Sequence, residues 1–317
     1  MEIIFNPRQN EIKMAAKALK DGHLVAFPTE TVYGLGADAT NIKAVSRVYS
    51  VKGRPTDHPL IVHISSINLL QKWALDIPEY ARKLAKEFWP GPMTLILKRN
   101  QLVQNFITGG QDNVGVRVPA HPIALALLSE FENMGGEGIA APSANRFRAV
   151  SPTTAKAVDI EIGAFLKSED FILDGGQSSV GVESTILDCT ESIPVILRPG
   201  AVTSEMIENL VGKFLVLNIN KIKASGLLES HYSPKAKVEI GRLANPGEGF
   251  LALADIPTPK GAIRLAAPVN IEKYAKDLYV ALRFGDQQGI DTIAAIPPEG
   301  FGLAEAIRDR LTKASAG

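Results

Sequence analysis

Two short stretches carry the residue types from which an anion site is built. Pro28 to Ala39 reads PTETVYGLGADA, and Lys52-Gly53-Arg54-Pro55 follows not far behind. The first sets hydroxyls, a tyrosine and close glycines directly after the apolar run Leu24–Phe27, at the end of what reads as a buried strand. The second puts two cations on a turn behind an expected helix. Hydroxyls at a strand end beside a cationic turn suit an anionic small molecule, and open α/β sheets take ligands beyond the carboxyl ends of their strands.

Each candidate also has a plainer reading. Lys52 and Arg54 could be solvated charges complementing a helix C-terminus. Arg117 lies inside the apolar run Val114–Pro119. An arginine there is costly unless paired, so a structural ion pair and a clamp on a ligand carboxylate are equal readings. Ser143, Asn145 and Ser151 surround two prolines and fit turn chemistry. Ser151-Pro152 reads as a helix N-cap with proline at the first helical position, and a helix start with spare hydroxyls suits phosphate. His63 reads as a core or edge residue, and His58 and His63 lack a third partner for zinc, so no metal ligands are assigned. Gly34 and Gly36 lack the third glycine of a dinucleotide loop and are expected to form a turn. No phosphate-loop motif ending in Gly-Lys-Ser/Thr is present. Cys189 reads as inert packing.

The two opening stretches are joined by His58-Pro59-Leu60-Ile61-Val62-His63, Trp89-Pro90-Gly91-Pro92-Met93-Thr94, Val116-Arg117-Val118-Pro119, Ala141-Pro142-Ser143-Ala144-Asn145, Ser151-Pro152-Thr153-Thr154, Glu183-Ser184-Thr185-Ile186 and Arg198-Pro199-Gly200. In type and order, over roughly the first two thirds of the chain, these resemble the YrdC-type threonylcarbamoyl-AMP synthases. The resemblance implies a YrdC-like twisted mixed sheet with flanking helices and a smaller C-terminal Rossmann-like α/β domain. It implies an enzyme joining L-threonine, bicarbonate and ATP into threonylcarbamoyl-AMP and pyrophosphate, with Mg²⁺ on the phosphates. The product would reach tRNA indirectly, through a downstream transferase complex.

By the same resemblance Lys52 and Arg54 are the catalytic cations. Thr31, His63, Arg117, Ala141 and Ser184 would line a threonine pocket. ATP would meet Lys52, Arg54, His58, Asn113, Ser143, Asn145, Ser151, Arg198 and Tyr232. His58 stands where the family often has asparagine. His231-Tyr232-Ser233-Pro234-Lys235 resembles the linker signature of two-domain members, in which the linker folds over the site. Upstream, Ala224 to Ser230 departs from the usual Ser-Pro-Gly start and its basic residues.

The elements that must position these residues alternate. Asn10, Asn41, Thr203 and Asn270 sit where helices should open, and Pro78 suits a first helical turn. Leu24–Phe27, Leu60–Ile64, Met93–Leu97, Val114–Val118, Ile139–Ala140, Phe171–Leu173, Thr185–Leu187 and Val195–Leu197 read as strands. Periodicity fades between Lys213 and Lys235, which predicts a linker or lid. Strand-like and helical segments then resume. The expected division is 1–212, a catalytic α/β domain; 213–235, the linker; and 236–317, a small α/β domain.

Composition agrees. A chain of 317 residues suggests about two domains, and 45% hydrophobic with 21% charged residues is a soluble globular balance. Thirty-four basic and thirty-four acidic residues cancel, so an anion site must be a local concentration of charge. That balance, 6% aromatic residues and the lack of an RNA-binding motif weigh against the first alternative, a non-catalytic RNA-binding module. The single cysteine rules out internal disulfides and a zinc-thiolate cluster. It therefore weighs against the second, a carbamoyl-transfer domain of the hydrogenase-maturation type, whose proteins add zinc fingers. No apolar run reaches the ~18 residues of a membrane span. The charged N-terminal stretch, with Glu2, Arg8, Glu11 and Lys13, lacks the apolar core expected of a signal peptide, and the cytoplasm is the expected location.

Overall fold

The computed structural model describes residues 3–212, 215–216, 226 and 231–317. Most of the expected lid, including Ala224, lies outside the described residues. The fold is mixed α/β. An eleven-stranded sheet runs, in spatial order, Ile3–Phe5, Phe171–Asp174, Val25–Phe27, Gly34–Asp38, Ile139–Ala140, Ile61–His63, Asn113–Arg117, Met93–Lys98, Thr185–Asp188, Val195–Arg198 and Leu215–Val216. Parallel and antiparallel pairings mix along it. A four-stranded parallel sheet follows, in the order Lys237–Ile240, Thr292–Ala295, Gly249–Leu251 and Ile263–Ala266. Among the described residues no helix is long and apolar enough to cross a membrane.

Local chemistry explains how the cationic turn is held. Asn41 caps the helix Ile42–Lys52, its side chain accepting from the amides of Lys43 at 3.0 Å and Ala44 at 3.2 Å. Gly53 ends that helix at φ +63°, a conformation that costs glycine little. Lys52 and Arg54 therefore flank a fixed bend. Thr203 and Asn270 likewise cap helices, over Ser204–Val211 and Ile271–Gln287.

Two local expectations are corrected. Gly34 and Gly36 lie inside the strand Gly34–Asp38 and form no turn. A Cβ on Gly36 would come within 2.8 Å of Ile139 and 2.9 Å of Phe27, so the glycine serves close packing between neighbouring strands. Ser151-Pro152 does not start a helix. The helix begins at Ala155, where Thr154 accepts from the Ala157 amide. The strand Ile3–Phe5 and the helix Pro122–Asn133 are further elements that the sequence patterns left unassigned.

The large and small units share a buried cluster through connecting segments of the former. Val32, Val150 and Val182 of the large unit pack in one buried cluster with Tyr274, Leu278 and Tyr279 of the helix behind the small sheet.

Candidate active site

The loop from Thr29 to Tyr33 joins the strand Val25–Phe27 to its antiparallel partner Gly34–Asp38. In the next part of the sheet His63 and Arg117 end two adjacent parallel strands and face each other in register. Ser184 precedes the strand Thr185–Asp188. These ends surround a cavity with an empty volume of about 540 Å³, open solvent at its mouth included. Its wall includes Thr31, His63, Arg117, Ala141 and Ser184, which is the whole expected threonine set. Arg54, Ser143, Arg198 and Tyr232 of the expected nucleotide set line it too.

Of the two sequence readings of Arg117, the structural ion pair is present, and the residue also lines the cavity. One terminal nitrogen donates to the Glu30 carboxylate at 2.6 Å, in a pair with side chains 5% and 9% exposed. The other donates to the Thr31 hydroxyl at 3.0 Å, and Nε donates to the Gly91 carbonyl at 3.2 Å. Glu30 is steadied in turn by the Ala120 amide at 3.0 Å. All three guanidinium nitrogens thus donate to protein groups, which fixes the side chain at the cavity wall.

Beside it, burial and then the Arg117 charge lower the His63 imidazole to about 3, so it is neutral at physiological pH. Its Nδ1 is buried without a hydrogen-bond partner among the described residues. Ser184 shares a hydrogen bond with Thr94 at 2.8 Å, and the Arg198 guanidinium donates to both its carbonyl, at 2.8 and 3.0 Å, and its hydroxyl, at 3.1 Å.

Arg54 donates to the Pro59 carbonyl at 3.0 Å. Burial lowers it to about 10, which leaves it charged at neutral pH. Lys52 is buried and turned away from the cavity wall. Its ammonium donates to the carbonyls of Ser143 at 2.5 Å and Asn145 at 2.6 Å, and burial, then Arg54, pull its pKa well down. Lys52 therefore pins the Ser-Ala-Asn loop from behind.

Four more expected nucleotide residues stand off the wall. His58 meets the Phe147 ring edge-on at 5.4 Å. Asn145 donates to the carbonyls of Arg146 and Ala149, both at 2.8 Å. Asn113 opens the strand that Arg117 closes. Ser151 gives its hydroxyl proton to Glu183 at 2.6 Å. Tyr232 belongs to the cavity despite its distance in sequence. It sits in the left-handed region at φ +62°, buried, and its hydroxyl has no partner among the described residues.

Sequence reasoning singled out neither Thr29, whose hydroxyl braces Thr31 at 2.8 Å, nor Glu30, Glu183 and His231. The motifs quoted above contain all of them, but only tertiary contacts reveal their work.

Comparison with known proteins decides the family. Residues 17–200 match the family model of Sua5, YciO and YrdC proteins, described as "Telomere recombination". Residues 202–316 match the model described as "Threonylcarbamoyl-AMP synthase, C-terminal domain". The threonylcarbamoyl-AMP synthase of Pyrococcus abyssi is 41% identical over 99% of this chain and 98% of its own length. The chain belongs to the threonylcarbamoyl-AMP synthase family. The Bacillus subtilis synthase is 40% identical over 97% of this chain and 93% of its own. A crystal structure of P. abyssi Sua5 complexed with L-threonine superposes with a TM-score of 0.90, at 39% identity over 100% of this chain and 98% of that one. The mixed sheet, its flanking helices and the smaller parallel sheet are this family's architecture.

Proposed function

We propose that the cavity binds L-threonine and ATP and makes threonylcarbamoyl-AMP and pyrophosphate, with bicarbonate as the third substrate. The observation that carries this reading is the convergence of His63, Arg117, Thr31, Ala141 and Ser184 on one cavity wall, with Arg54, Ser143 and Arg198 beside them. In this reading bicarbonate loses water to give CO₂, to which the threonine amine adds with loss of a proton, forming a carbamate. A carbamate oxygen then attacks the α-phosphorus of ATP, the bond to the β-phosphate oxygen breaks, and pyrophosphate leaves.

Arg117 takes the threonine carboxylate. His63, kept neutral, lines the amino-acid pocket, and Ser184 and Thr31 offer hydroxyls. Arg54 and Arg198 face the polyphosphate, and Lys52 holds the Ser143 loop from behind. Their joint effect is to hold the carbamate in line with the α-phosphate and to stabilise the charge that builds there. Among the described residues no group of three or more acidic, histidine or cysteine side chains could hold a metal ion. Mg²⁺, when bound with the nucleotide, would supply neutralising charge to its phosphates.

His58, Asn113, Asn145, Ser151 and Tyr232 complete the nucleotide environment in this reading. Residues 1–212 form the catalytic domain, 213–235 a closing linker and 236–317 the second domain. The product passes, in the cytoplasm, to a transferase complex that modifies tRNA. Discrimination tests the pocket: losing one methyl contact costs about 1–3 kcal/mol, so serine should turn over roughly ten to a hundredfold less efficiently. Equal kcat/KM for serine and threonine would remove the assigned amino-acid pocket.

A further inference from the structure

Glu183 is an unusual wall residue, because the groups that hold it come from the other end of the chain. One carboxylate oxygen accepts the Ser151 hydroxyl at 2.6 Å. The other accepts the Tyr279 hydroxyl at 2.8 Å and Arg310 Nε at 2.9 Å. Tyr279 lies on the helix Ile271–Gln287 and Arg310 on the helix Leu303–Ser315, both in the C-terminal domain. Arg310 is 1% exposed and Tyr279 fully buried. Arg310 also donates to the Pro199 carbonyl at 2.9 Å and pairs with Asp309 at 2.5 Å. Tyr232 joins the same cluster, stacked on Tyr279 at 5.6 Å, with the Arg310 guanidinium 5.4 Å from its ring centre.

Such a cluster is costly to bury unless each member is satisfied. A core without charge would hold the two domains together at least as well. What the charged cluster adds is direction. Glu183 immediately precedes Ser184, fixes the Ser151 hydroxyl and shares the cavity wall with Arg198. We propose that Arg310 and Tyr279 are positioning residues by which the C-terminal domain completes the active site, holding the Glu183 carboxylate, which Ser151 also braces, so that Glu183 and the adjoining Ser184 present fixed geometry to the substrates. Although burial pushes it upward, Arg310, Arg198 and the Ser151 hydrogen bond bring the Glu183 carboxyl down to about 2, so it works as a permanent anion. The inference rests on the function proposed above.

The test uses the full chain with Arg310→Met, Tyr279→Phe, Glu183→Gln and the double variant Glu183→Gln/Arg310→Met. For each, kcat and both KM values come from threonine-dependent pyrophosphate release, beside thermal unfolding. Arg310→Met should raise KM for threonine or ATP at least tenfold, and Tyr279→Phe at least threefold. The double variant should fall within threefold of Glu183→Gln alone, because a neutral amide no longer needs the cation. If Arg310→Met does not fold, Tyr279→Phe, which deletes a single hydroxyl, decides. Folded variants with both KM values within twofold of wild type overturn the positioning role, even where their melting temperatures drop. A wild-type chain that releases no pyrophosphate with threonine overturns instead the functional reading beneath it.

Discussion

Replacing Arg117 by alanine would leave the Glu30 carboxylate buried beside it without a counter-charge. Breaking one side of such a pair costs about 3–5 kcal/mol, so this variant tests stability more than binding. Arg117→Lys is the sharper probe, since it keeps the charge and loses the fork. We expect its melting temperature to stay nearer wild type than that of Arg117→Ala, and threonine affinity by calorimetry to fall more than tenfold. Unchanged threonine affinity in a folded Arg117→Lys protein would reduce Arg117 to a structural partner of Glu30. The neighbouring histidine makes a pH prediction. Burial, then Arg117, hold His63 at about 3 in the folded chain, whereas an unfolded imidazole titrates near 6.5. Between those values the unfolded chain binds the extra proton, so stability is full above about pH 6.5 and lost as pH falls toward 3. Burial lowers His231 to about 3 as well and adds in the same direction. Urea unfolding at pH 7 and pH 5 should differ by up to about 2 kcal/mol for each histidine. His63→Asn should shrink that difference, and an unaltered pH slope would contradict the assignment.

Among the elements, the strand Gly34–Asp38 is the one whose sequence misled, because two close glycines read locally as a turn. Its test is Gly36→Ala. The new methyl would press on Ile139 and on Phe27, whose ring meets His63 edge-on at 6.0 Å. Overpacking of this kind costs about 1–3 kcal/mol, so the melting temperature should fall and threonine affinity with it. An unaffected threonine affinity would mean that Phe27 does not support the His63 wall. Other elements were open to reading because local chemistry specifies them. The Asn41 cap, the Gly53 stop and the buried runs around Ile61 and Val116 each announce themselves within a few residues. The site was legible only through its motifs. Nothing in the spacing of His63 and Arg117 says that their strands lie side by side in register; strand order is a long-range property. Lys52 shows the same limit from the other side. Its motif marked it as a phosphate contact, while the fold turns its ammonium onto two loop carbonyls.

At the scale of the whole molecule, the C-terminal domain is no passive appendage. It covers Val32, Val150 and Val182, pairs Arg283 with Glu161 at 2.6 Å and reaches Glu183 with Arg310 at 2.9 Å. None of this could be read from the sequence, where Arg310 is one more charge on an amphipathic helix. Truncation after Gly212 should therefore expose apolar surface and leave Glu183 without Arg310. We expect a truncated protein of lower stability than the full chain and with severely reduced synthase activity, measured by thermal unfolding and product yield. Full yield from residues 1–212 would return the second domain to the role of a cap. The central claim, however, is that one cavity joins three substrates. Pyrophosphate release from ATP, followed in buffer stripped of CO₂ with threonine and bicarbonate added singly and together, tests it most directly. The account predicts release only when both are present, matched mole for mole by threonylcarbamoyl-AMP. Equal release without the amino acid, or none with all three substrates, would contradict it.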